Sequence, residues 1–296
     1  MISLSFWVSL FVWNINDVNI NAHIELRPLL LVAIEAALQA SEAILAIYDK
    51  TFEVSYKDDD SPLTEADLAS NAIICNRLRT TDIPIISEEN KGIPYSIRKD
   101  WKSCWIVDPI DGTKEFIKRN GDFTVNIALV EQGVTKLGVI YIPVTKELYY
   151  NNVEKNKAFK TVLDTDDLLS KDLGSILFKE ADAIKPSSFN QISRLKVVGS
   201  RSHMNAQTSN FIKGLEKHYD AIEIVSRGSS LKFCLVAEGK AHMYPRFAPT
   251  MEWDTAAGQA ICEAVGLSVI DQETGEPLVY NRAQLRNPFF MVSVHG

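Results

Sequence analysis

The sequence predicts an α/β fold, on three observations. Residues 195–270 alternate short β-branched runs with helical stretches, the rhythm of strands and helices stacked in layers. Residues 123–150 hold three apolar runs in close succession, as a strand meander requires. Ahead of both, residues 28–79 carry the patterns of two helices.

In chain order, residues 28–50 set Leu31, Ile34, Leu38, Ile44 and Ile47 at helical spacing in a stretch rich in Ala, Leu and Glu. A polar loop follows, Lys57-Asp58-Asp59-Asp60-Ser61-Pro62. Thr64 then stands where an N-cap belongs, opening a second helix that reaches Arg79. Residues 83–86 form a short apolar run that stops at Ser87-Glu88-Glu89, and residues 105–107 form another that stops at Asp108-Pro109. Strands are expected at 123–130, 137–142 and 147–150. Residues 151–190 are polar and irregular, and the boundary is placed there. It separates a unit at 29–185 from a unit at 186–296, behind an N-terminal extension, 1–28. In the second unit strands are expected at 195–199, 222–225, 242–244 and 267–270, and helices at 205–215, 229–238 and 253–265.

The 296 residues are 46% hydrophobic and 23% charged, the composition of a soluble globular protein. A formal net charge of -7 argues against a nucleic-acid polymer as partner, since such proteins carry a basic face. Any small polyanion must be held by a local cluster of cations or by metals. Cys75, Cys104, Cys234 and Cys262 form no CxxC pair and read as buried small hydrophobes in a reducing compartment. Residues 1–13 are apolar and uncharged. They lack the basic start and cleavage site of a secretory signal, and fall short of the ~20 residues of a membrane span. Their alternation suits a strand better than a helix. They are expected to be a dispensable extension, or the product of a misplaced start codon, rather than an interfacial anchor. The expected location is the cytoplasm, with at most peripheral contact to the inner membrane.

Four acids sit where apolar segments end or helices begin. Glu88 ends one run, Asp108 ends the next, Asp111 lies in the turn after Pro109, and Asp254 opens a helix far downstream. Strand ends in α/β proteins are where sites collect. Gly112 would let backbone approach a ligand closely. Hard carboxylate oxygens suit magnesium. Two carboxylates ~5 Å apart repel by roughly 3 kcal/mol at an effective dielectric of ~20, so a convergence of four calls for cations. Taken singly, each has a plainer reading: Asp108 and Asp111 as turn residues, Asp254 as a helix cap, Asp67 as a first-turn acid. Asp58, Asp59 and Asp60 read as a solvated loop, and Lys114, Lys118 and Arg119, on composition alone, as a solvated face.

The motifs taken together decide between these readings. Ser87-Glu88-Glu89, then Trp105-Ile106-Val107-Asp108-Pro109-Ile110-Asp111-Gly112-Thr113, then Trp253-Asp254-Thr255-Ala256-Ala257-Gly258 resembles the EE, DPxDGT and WDxAAG series of the inositol monophosphatase superfamily. The likeness runs from about residue 29 to the C-terminus. Lys114-Glu115-Phe116-Ile117-Lys118-Arg119-Asn120-Gly121, Ser200-Arg201-Ser202-His203, Gly228-Ser229-Ser230-Leu231-Lys232 and Tyr244-Pro245-Arg246-Phe247 resemble its bisphosphate nucleotidase branch.

That resemblance implies a layered α/β/α/β/α sandwich with the site between two subdomains. It implies a magnesium held by Glu88, Asp108 and the carbonyl of Ile110, and a second held by Asp108, Asp111 and Asp254. A third ion would arrive with substrate. Asp67 and Thr113 would orient and deprotonate the attacking water, and the amides of Gly112 and Thr113 would cradle phosphate. Arg201, His203, Lys232 and Arg246 become candidates for the nucleotide and its other phosphate, because charge-assisted bonds suit phosphoryl oxygens. The implied substrate is adenosine 3',5'-bisphosphate, cleaved to AMP and phosphate in sulfur assimilation. Two other readings stand beside it. One is a phosphatase of the same superfamily acting on inositol or sugar phosphates. The other is a non-catalytic binding protein, whose mark would be a lost ligand among the four acids.

Overall fold

In a computed structural model the described residues are 25–57, 62–90, 92–152, 154, 156–170, 172–188, 192–200 and 205–294. Two helices come first. α1 (Leu26–Tyr48) buries Leu30, Ile34, Leu38 and Ile44, one stripe of its surface. It is long and apolar enough to cross a membrane, but half of its most apolar stretch is buried inside the protein. A short hairpin, β1 (Val54–Tyr56) with β2 (Pro62–Thr64), leads to α2 (Glu65–Leu78). As the sequence predicts, α2 starts from Thr64, whose side chain accepts from the amide of Ala66.

A six-stranded sheet carries the first half of the molecule. Its order is β3 (Ile85–Ser87), β4 (Ser103–Asp111), β5 (Thr124–Glu131), β6 (Val134–Ile142), β7 (Glu147–Asn152) and β8 (Lys157–Val162). Only β3 and β4 are parallel. Short helices α3 (Tyr95–Arg98) and α4 (Thr113–Ile117) flank β4, and α5 (Thr165–Ser170) and α6 (Leu173–Ile176) follow β8. Strand periodicity of two sorts the side chains into two cores. Trp105, Val107, Val125, Ile127, Val139 and Tyr141 point to α1 and α2. Cys104, Ile106, Ala128, Val130, Ile140 and Ile142 point the other way.

The second half covers that other face. β9 (Arg194–Ser200) pairs in parallel with β10 (Ala221–Arg227), and α7 (Ala206–Leu215) joins them. α8 (Leu231–Ala237) and α9 (Glu252–Glu263) pack into the second core. β11 (Tyr244–Arg246), β12 (Leu267–Asp271) and β13 (Phe290–Val294) form an antiparallel sheet with β13 in the middle. A parallel bridge between Val197 and Met243 ties β9 to the segment leading into β11. Phe211, Ile212 and Leu215 of α7 close the outer side over Leu195, Val197 and Met243. The layers are therefore helix, sheet, helix, sheet, helix.

The structure differs from the sequence reading in several places. Residues 151–190, read as irregular, contain β8, α5 and α6. β13 was not anticipated. The strand expected at 242–244 begins two residues later, because the His242 amide bonds Lys196 and the Met243 carbonyl accepts from Val198, committing both to β9. The helix expected from Ser229 begins at Leu231, since Ser229 has a left-handed backbone (φ 46°) that no helix continues. Residues 1–13, Asp58 to Asp60, Arg201 and His203 lie outside the described residues. The four cysteines are free and buried, as expected.

Candidate active site

β4 delivers the first two acids through an irregularity. Its pairing with β5 is regular from Ser103 to Asp108, then shifts register before Asp111. Such a bulge re-aims side chains at the end of a strand. Asp108 is 1% exposed, and its Oδ1 accepts from the amide of Ile110 at 3.1 Å. Asp111 Oδ2 accepts from Asn126 Nδ2 at 3.3 Å. Gly112 follows with φ +97°, a conformation side chains rarely adopt, and turns the chain into α4 at Thr113.

Asp254 comes from the other half. It is the third residue of α9, and its Oδ2 accepts from the amide of Met251 at 2.8 Å. One carboxylate oxygen each from Asp108, Asp111 and Asp254 lie within 4.8 Å of one another. Burial, then the neighbouring Glu88, Asp111 and Asp254, pushes Asp108 well above the ordinary carboxylate range. Burial raises Asp111 against the pull of Lys232, and burial with the Asp111 charge raises Asp254. Three crowded hard-oxygen donors that resist ionisation in each other's company are what a divalent cation reverses, so the residues fit magnesium.

Glu88 lines the same cavity but stands outside that trio, its Oε1 accepting from Lys57 Nζ at 2.9 Å. Lys57 also bonds Glu89. Asp67 sits behind the cavity wall, 1% exposed. Its Oδ2 accepts from the Thr64 amide (2.8 Å) and hydroxyl (2.6 Å), and its Oδ1 from Thr113 Oγ1 (3.1 Å). Burial raises Asp67 above the ordinary range. With its hydrogen directed to Asp67, or to the Ile110 carbonyl at 3.4 Å, Thr113 offers the cavity lone pairs, which can accept from a water.

The cavity holds about 350 Å³ and is walled by both halves of the chain. Glu88, Asp108, Ile110, Asp111, Gly112 and Thr113 face Lys232, Arg246 and Asp254 across it. Lys232 is buried, 5.8 Å from the Tyr244 ring centroid, and bonds the Ser229 carbonyl. Burial lowers its pKa, which Asp111 partly restores. Arg246 Nη2 donates to Pro249 O at 3.0 Å. Among the described residues, three buried side-chain polar atoms lack a partner, and two of them, Ser229 Oγ and Arg246 Nε, belong to cavity-lining residues. Both atoms have hydrogen-bonding capacity left for a water or a polar ligand in the cavity.

Three residues without a sequence signal of their own join the site: Lys57 through its bond to Glu88, and Arg227 and Ser229 as cavity lining; Lys114 is exposed, as expected, and lines the cavity as well. Arg119 is exposed, as expected, and its guanidinium bonds the carbonyls of Tyr48 and Lys50 and covers the rings of Tyr48 and Phe52.

Residues 25–287 match the model of the inositol monophosphatase family. The chain belongs to that family. Among curated family relatives, the 3'(2'),5'-bisphosphate nucleotidase CysQ of Salmonella typhimurium is 44% identical over 266 residues, covering 88% of this chain and 98% of its own. The CysQ of Escherichia coli K12 is 42% identical over the same length. The crystal structure of CysQ from Bacteroides thetaiotaomicron superposes with a TM-score of 0.79 at 45% identity, covering 91% of this chain and 98% of that one. An inositol monophosphatase from Thermotoga maritima, 24% identical with a TM-score of 0.66, shares the fold.

Proposed function

We propose that this chain is a magnesium-dependent 3'(2'),5'-bisphosphate nucleotidase. It hydrolyses adenosine 3',5'-bisphosphate to AMP and phosphate, clearing a by-product of sulfate activation in sulfur assimilation. One observation carries the proposal: three converging carboxylates face Lys232 and Arg246 across one cavity, in a chain 44% identical to a bisphosphate nucleotidase.

Asp108, Asp111 and Asp254, joined by Glu88 and the Ile110 carbonyl, would hold two magnesium ions, with a third accompanying substrate. When bound, the ions supply positive charge to the phosphoryl and leaving oxygens and acidify a water. Thr113 orients that water by accepting its hydrogen. Asp67, behind it, fixes the hydroxyl and takes up the proton through it. The amides of Gly112 and Thr113 face the phosphate. Lys232 and Arg246, with Arg201 and His203 as further candidates, hold the nucleotide and its second phosphate. Chemistry thus belongs to 29–185 and recognition to 186–296, with Asp254 reaching back across. Four free buried cysteines fit a reducing cytoplasm.

The test is phosphate release from purified protein, with adenosine 3',5'-bisphosphate and inositol 1-phosphate compared under the same magnesium concentration. Higher catalytic efficiency on the bisphosphate is expected. A preference for inositol 1-phosphate would move the chain to the inositol and sugar phosphatases of the same family.

A further inference from the structure

One wall of the cavity is an irregular segment. β10 ends at Arg227 and α8 starts at Leu231, with Ser229 left-handed between them. The approach to β5 and its first residues hold this segment in place. Phe123 and Val125 point into the core beneath α1, so Asp122, Thr124 and Asn126 share the opposite face. Each of the three reaches the segment. Asp122 Oδ1 accepts from Arg227 Nη1 and its Oδ2 from the Gly228 amide, both at 3.3 Å. The Thr124 and Ser230 hydroxyls are 2.8 Å apart, and Ser230 Oγ donates to Asn126 Oδ1 at 2.7 Å. The fit is close, for a Cβ on Gly228 would lie 2.8 Å from the Asp122 carbonyl oxygen.

The seated segment presents groups suited to an anion. Arg227 lines the cavity with a side chain 48% exposed, Ser229 lines it too, and Lys232 is tied back to the Ser229 carbonyl. A guanidinium that gives one nitrogen to Asp122 keeps further donors for phosphate oxygens. An arginine held this way loses less side-chain entropy when it binds. A carboxylate beside a phosphate site lowers the local positive charge, so Asp122 must contribute through geometry.

We propose that Asp122 is a positioning residue for substrate recognition, and that Arg227, which it holds, is a specificity-determining contact for the phosphate that is not cleaved. This inference rests on the bisphosphate nucleotidase reading.

The experiment compares the wild-type chain, Asp122→Asn, Arg227→Gln and the double variant. Full kinetics are measured on adenosine 3',5'-bisphosphate and on a phosphomonoester without a second phosphate, alongside melting temperatures. Either single variant should raise KM for the bisphosphate about ten-fold, the loss of one charge-assisted bond, with kcat kept within about three-fold. The double variant should be no worse than about the weaker single one, since contacts that work as one device are not additive. Additive losses, an unchanged KM, or an equal fall in kcat on both substrates would overturn the inference. A failure of Asp122→Asn to fold would leave the decision to KM in Arg227→Gln. A wild-type chain active on other phosphomonoesters and silent on the bisphosphate would remove the nucleotidase reading itself, and this inference with it.

Discussion

Asp67 and Asp254 share a local design. Each is the third residue of its helix, and each caps the preceding turn with Oδ2, at 2.8 Å from the Thr64 and Met251 amides respectively. The plain reading of each as a helix-start acid and the functional reading hold together, because a carboxylate has two oxygens. Asp67 Oδ1 accepts from Thr113 Oγ1, and Asp254 joins Asp108 and Asp111. Among the described residues, Asp108 is bonded to the Ile110 amide and to no helix-start amide, so its charge is directed to the cluster. Asp108→Asn should therefore abolish turnover at any practical magnesium concentration, while the melting temperature of the metal-free protein stays level or rises as crowding is relieved. Near-normal turnover in a folded variant would contradict the assignment. Lys232→Ala should lower catalytic efficiency on adenosine 3',5'-bisphosphate ten- to a hundred-fold, the ~1.5–3 kcal/mol of a charged hydrogen bond, and lower it far less on a simple monophosphate. Equal losses on both substrates would show that Lys232 acts in folding or in chemistry.

At the scale of elements, α9 must lie close enough to the sheet to bring Asp254 to β4. Ala256 and Ala257 face the second core, Ala260 lies against Gly138 of β6, and Gly258 lies against Phe233, where a Cβ would come within 2.8 Å of the Phe233 Cβ. Gly258→Ala should destabilise the protein by about 1–3 kcal/mol through overpacking and shift α9, lowering activity as well. A thermal melt and phosphate release check both effects, and an unchanged melting temperature would show that the helix has room. The small residues of WDTAAG were legible in the sequence as a motif, and Thr64 as a cap, because both signals are local. β8 was not, since Lys157, Lys160 and Thr161 break its apolar pattern. The contact of Asp122 with Arg227 was equally invisible. It joins residues 105 apart in sequence, and nothing local records which distant segment a strand edge will meet.

At the scale of the whole molecule, the cavity exists only where the two halves meet. Asp108 and Asp111 stand on β4 and Asp254 on α9, so a cation they share ties the first half to the second. The unfolded chain scatters these ligands and binds weakly. Binding to the folded form alone stabilises it by about 2.7 kcal/mol at a concentration a hundred-fold above Kd. For a chain of this size about 1 kcal/mol moves the melting temperature by ~2–4 °C, so saturating magnesium should raise it by roughly 5–11 °C. A chelator should return it to the metal-free value. Calcium, larger and tolerant of looser coordination, should also raise the melting temperature yet inhibit turnover when added with magnesium. Lithium should inhibit as well, occupying a magnesium position without its second charge. Asp254→Asn should shrink the magnesium-induced rise, because it weakens the tie between the halves at its far end. A full rise in that variant, or none in the wild-type chain, would mean that the three carboxylates do not share a cation across the cleft.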